Sequence, residues 1–74
     1  MLSLEQIEKL IKERIDNLEE LNSKSRKFCK YLDLENEDDK EIESKEFETR
    51  TKRIYAIIQF EDLLNEIKEI GDVK

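Results

Sequence analysis

The side chains of this 74-residue chain that could carry chemistry are mostly carboxylates: there are twenty aspartates and glutamates, fourteen lysines and arginines, one cysteine and no histidine. Glu5 with Glu8, Glu43 with Glu46 and Glu66 with Glu69 are each spaced three residues apart, so each pair shares one face of a helix. Carboxylates paired in this way hold divalent metals in helical bundles and in hydrolases. The pattern has little specificity, because a chain this acidic produces about five such pairs by chance on helix spacing alone. All three pairs read as parts of a charged exterior. Without histidine the commonest metal ligand and general base is also missing. A small metal-dependent hydrolase therefore stands only as an alternative, and no catalytic residue, metal ligand or cofactor is assigned.

Cys29 has no histidine to activate it, and a single cysteine forms neither an internal disulfide framework nor a cysteine zinc site. Lys27 and Lys30 would favour its thiolate, but its place beside Phe28 fits a thiol at the edge of a core. Tyr31 and Tyr55 read as interface residues with hydrated hydroxyls.

Charge is distributed unevenly. Residues 35 to 48 hold eight acids and two lysines, while residues 1 to 34 and 49 to 74 each sum to zero, so the whole net charge of −6 lies in one segment. Glu37, Asp38 and Asp39 form its centre. On either side lie Lys24, Arg26, Lys27 and Lys30, then Arg50, Lys52 and Arg53. If the chain reverses at the acidic segment, these seven cations make a girdle below an acidic tip. Such a surface suits an acidic protein partner or a local grip on nucleic-acid phosphates. Pairing with neighbouring acids is the plainer account. Mimicry of DNA by the acidic cluster is a third reading, for which eight carboxylates make a small surface.

The elements that would position these groups are two helices. Ser3 and Gln6 fit a capping box. From there Leu4, Ile7, Leu10, Ile11, Ile15, Leu18, Leu21, Phe28 and Leu32 form one stripe about 140° wide at helical spacing. Arg14 and Ser25 interrupt its heptad seam, a device that can fix register. With no proline in the chain and its only glycine at position 71, the helix is expected to run unbroken through Asn22-Ser23-Lys24-Ser25 to about Leu34. Residues 35–42, crowded with like charge, are expected to form the turn. A second helix then spans about 43–70, capped by Asp38 with Glu41 or by Ser44 and stopped by Gly71.

The second arm carries Phe47, Ile54, Ile57, Ile58, Phe60, Leu63, Leu64, Ile67 and Ile70, a broader apolar surface than one helix can cover. Folding about Asp38 and Asp39 matches Leu32 with Phe47, Leu21 with Ile57, Leu18 with Phe60, Ile15 with Leu63 or Leu64, Ile11 with Ile67 and Ile7 with Ile70. The expected fold is thus all-α: a single antiparallel helical hairpin, with a homodimeric four-helix bundle burying the surplus through Ile54, Ile58, Phe60, Leu63, Ile67 and Ile70. Hiding about 800 Å² per protomer, about 65% of it apolar, contributes nominally about 13 kcal/mol before entropy is subtracted. In outline the chain resembles the small dimeric helical hairpins that bind paired RNA loops in plasmid copy control. That likeness is architectural, shares no motif, and the acidic turn departs from a phosphate-binding face.

The resulting expectation is a non-enzymatic protein-interaction module or regulator that masks a partner's surface. A nucleic-acid-binding regulator using the girdle is the alternative. No apolar run reaches the roughly 20 residues that span a bilayer, and the acidic start is unlike a signal peptide, so no membrane partner and a cytoplasmic location are expected.

Overall fold

The computed structural model describes residues 3–72, which form two antiparallel α-helices, α1 (Leu4–Cys29) and α2 (Glu37–Asp72). The hairpin is elongated, 58 × 17 × 15 Å. Among the described residues there is no strand, and no helix is long and apolar enough to cross a membrane.

α1 begins at the capping box. The Gln6 amide donates to the Ser3 hydroxyl at 3.2 Å, and the Ser3 amide donates to the Gln6 side-chain oxygen at 2.9 Å. The helix continues unbroken through Asn22 and Ser25 but ends at Cys29, short of the expected Leu34. There the amides of Tyr31 and Leu32 turn to the carbonyls of Phe28 and Cys29, tightening the chain into the connection. Arg26 and Lys27 lie in this last turn, where cations favour the helix C-terminus.

α2 starts at Glu37, six residues before the expected position 43, so most of the acidic segment is helix and not turn. The cap is Asn36, in place of Asp38 or Ser44. Its side-chain oxygen accepts from the amides of Asp38 at 2.9 Å and Asp39 at 3.4 Å. Mutual repulsion favours a turn here over compact packing, but Glu37, Asp38 and Asp39 fall in the first helical turn, where free amides and the helix dipole favour negative charge. The Asp39 carboxylate also accepts from the Asp33 amide at 2.8 Å, closing the connection over the helix start. Gly71 lies inside α2 without a left-handed conformation, so it does not act as the expected stop.

The aliphatic core occupies the half of the hairpin away from the turn. Ile11 and Ile15 pack with Ile57, Leu64 and Ile67, flanked by Ile7, Leu18 and Phe60. Several expected pairs do not form it: Phe47 is 62% exposed and Ile70 is 61% exposed, and Leu32 lies in the connection. Asn22 meets the Arg50 backbone and Ser25 meets Glu46, while the expected partners Ile11 and Ile67, Ile15 and Leu64, and Leu18 and Phe60 fall in one cluster. Phe47 and Ile70 lie away from the side of α2 that faces α1, by helical spacing at about 100° per residue.

Candidate functional site

Toward the turn the helix interface changes character, because polar groups replace isoleucine and leucine. Asn22 is 2% exposed and Ser25 is 7% exposed, the only buried polar residues among those described. The Asn22 side-chain amide donates to the Arg50 main-chain oxygen at 3.2 Å, and its oxygen accepts from the Arg53 guanidinium at 3.3 Å. Arg50 lies at the centre of the layer. One guanidinium nitrogen donates to the Ser25 hydroxyl at 3.0 Å and the Cys29 sulfur at 3.2 Å, and the other pairs with Glu43 at 3.2 Å. The Ser25 hydroxyl in turn donates to Glu46. No buried side-chain nitrogen or oxygen among the described residues is left without a partner, which a buried polar layer requires if it is not to destabilise the fold.

These contacts set the local electrostatics. The Glu43 carboxyl is held below its ordinary range, first by hydrogen bonding with Cys29 and then by Arg50, against an opposing effect of burial. The Cys29 thiol is pushed up by burial and by Glu43, more than Arg50 lowers it. The Arg50 guanidinium is held charged by Cys29 and Glu43. The Cys29 sulfur accepts from Arg50 with its thiol raised, and it is not the neighbour of a core phenylalanine, since Phe28 is 49% exposed.

The expected girdle is divided by this layer. Arg50 and Arg53 are drawn between the helices, the Arg50 side chain being only 12% exposed. Lys24 pairs with Glu20 on its own helix at 3.4 Å. Arg26, Lys27, Lys30 and Lys52 are exposed. Arg26 and Lys30 line a shallow groove with Cys29, Glu43 and Arg50, while Lys52 lies on the same side of α2 as Leu63 and Ile70 by helical spacing. At the tip Glu37 and Asp38 are exposed and Asp39 is occupied by Asp33. Glu43 and Glu46, read from sequence as exterior, face the partner helix instead. Among the described residues no three acidic or cysteine side chains converge as a metal-ligand set.

The surplus apolar surface is split as well. Ile67 is buried in the core and Phe60 packs against it, so both are already covered within one chain. Ile54 and Ile58 line a groove with Glu19, Asn22, Arg26, Ile57 and Glu61. Leu63 and Ile70 lie on the other side of α2 by helical spacing. On that side a second groove opens between Leu10, Ile11, Arg14 and Phe60, and Leu21 and Phe28 continue the α1 edge of the same face. The six residues expected to form one dimer surface therefore lie in three places.

Sequence reasoning registered Ser25 as a seam interruption and missed Asn22 as a buried partner of Arg50. The available signal was that Asn22, Ser25 and Cys29 fall on the same helical face as Ile11 and Ile15, a polar continuation of the core stripe. Comparison with known protein families, with characterised proteins and with solved structures gives no match.

Proposed function

We propose that this chain is a small non-enzymatic protein-interaction module that works as a homodimeric four-helix bundle and masks the surface of a partner protein. One observation carries this reading. Five apolar residues are buried, against thirteen large apolar side chains left exposed among the described residues. A core of that size supplies at most a few kcal/mol in a chain this short, and exposed apolar surface on a small helical protein marks a place of association.

The partner-facing surface in this reading is the turn end, where Glu37 and Asp38 lie beyond Arg26, Lys27, Lys30 and Lys52. Opposite charges in neighbouring zones orient an incoming protein and give specificity more than affinity. Commitment of Arg50 and Arg53 to hydrogen bonds between the helices weighs against the nucleic-acid alternative, which relied on them for phosphate contacts.

The test is thermal unfolding as a function of protein concentration. A dimer gives a midpoint that rises with concentration, because association stabilises the folded state by mass action. A midpoint constant over a hundredfold dilution range removes the dimer.

A further inference from the structure

We infer that the second copy covers the face built by Leu10, Leu21 and Phe28 of α1 with Leu63 and Ile70 of α2, leaving the Ile54 and Ile58 groove open. This deepens the proposed function and rests on its homodimer. The two broad sides of the hairpin differ in three respects that bear on self-association.

The first is extent. The Leu63 face draws exposed apolar residues from both helices: Leu10 at 53%, Leu21 at 45%, Phe28 at 49%, Leu63 at 41% and Ile70 at 61%. The opposite side offers Phe47, Ile54 and Ile58 from α2 alone. A four-helix bundle needs both helices of each hairpin to present apolar surface. A stable interface of about 800 Å² per partner also has to draw on most of one broad side, here 58 by 17 Å.

The second is shape. On this face α2 presents Thr49, Ala56, Leu63 and Ile70 at steps of seven, the repeat of a packed helical seam. Near the turn the α1 residues are large, Leu21 and Phe28, where those of α2 are small, Thr49 and Ala56. Away from the turn both helices present large residues, Leu10 of α1 with Leu63 and Ile70 of α2. Alternation of large and small residues lets facing layers interdigitate without voids.

The third is charge. The Ile54 groove is rimmed by Glu19, Arg26 and Glu61, so covering it strips water from three charged groups, a cost that only well-placed partners offset. The groove on the Leu63 face has Arg14 as its single charged lining residue, and the charges on the same side of α2, Lys45 and Lys52, lie nearer the turn beside Thr49 and Ala56 by helical spacing.

The experiment places a single cysteine at Leu63→Cys or at Ile58→Cys, each in a Cys29→Ser chain, and follows maleimide labelling alongside the mass in solution. The inference predicts a mass twice 9.0 kDa for both variants. It also predicts that position 63 labels more slowly than position 58 by about tenfold, with the protection lost on dilution to the single chain. A mass of two chains with position 58 protected and position 63 reactive overturns the choice of face and leaves the homodimer standing. A single-chain mass for both, with full helical circular dichroism, overturns the inference together with the reading beneath it.

Discussion

The side-chain amide of Asn22 donates to the main-chain oxygen of Arg50 at 3.2 Å, so a side chain of one helix reads the backbone of the other. Substitution at position 50 leaves that acceptor in place. The Arg50 side chain is a separable contribution, and it ties Ser25 and Cys29 of α1 to Glu43 of α2.

Arg50→Ala is expected to destabilise the hairpin by about 1 to 3 kcal/mol, the usual effect of deleting a part-buried charged hydrogen-bond donor. Arg50→Lys should not restore it, because an ammonium cannot reproduce the fork that meets three partners. Urea unfolding of both variants checks this. Wild-type stability in the lysine variant would contradict the central place given to the guanidinium.

Asn22→Leu removes a buried hydrogen-bond acceptor of the Arg53 guanidinium and leaves that donor unpaired. The expected result is a loss of about 1 to 3 kcal/mol together with a looser register, as follows when a polar residue that fixes a seam is removed. Spin labels on the two helices should then give a broader distance distribution than in the parent. A distribution as narrow as the parent's would show that the isoleucine core sets the register alone.

The same layer predicts how stability responds to pH. The Glu43 carboxyl is depressed from its ordinary 4.5, first through Cys29 and then Arg50. Below that pH the unfolded chain takes up a proton that the folded one still refuses. The stabilisation is therefore present above pH 4.5 and lost as pH falls through the folded value. Cys29 behaves in the opposite sense: its thiol is raised above 9.0, chiefly by burial. The unfolded thiol ionises first, so this contribution is complete below pH 9.0 and is lost as pH rises through the folded value. Glu43→Gln should flatten the acid limb of the stability profile and Cys29→Ser the alkaline limb. Unchanged limbs in both variants would remove the layer from the pH response.

At the turn, Asn36→Ala should cost about 1 kcal/mol through loss of a helix cap, whereas Ser44→Ala, seven residues into α2, should lie within about 0.5 kcal/mol of wild type as an exposed change does. Chemical denaturation of the pair distinguishes them, and the reverse order would restore the later helix start.

The parts of this fold legible in the sequence are those governed by short-range rules. The Ser3 and Gln6 box is local chemistry, and the stripe from Ile7 to Leu18 is a plain helical period that finds its partner in Ile57, Leu64 and Ile67. Repulsion among Glu37, Asp38 and Asp39 points to a turn only while the helix start that turns those charges to advantage is left out. Phe47 and Ile70 lie at the surface because helical spacing turns them away from the side of α2 that faces α1. The division of the girdle is not legible for another reason: sequence gives the charge of Arg50 and Arg53, but whether an arginine points outward depends on what faces it, and Asn22, Ser25 and Cys29 lie far along the chain.

Sedimentation equilibrium of the wild-type chain at micromolar concentration tests the central claim most directly, since more large apolar side chains are exposed than are buried among the described residues. The account predicts a mass of two chains, each of 9.0 kDa. A mass of one chain, with full helicity and a cooperative unfolding transition, would contradict it.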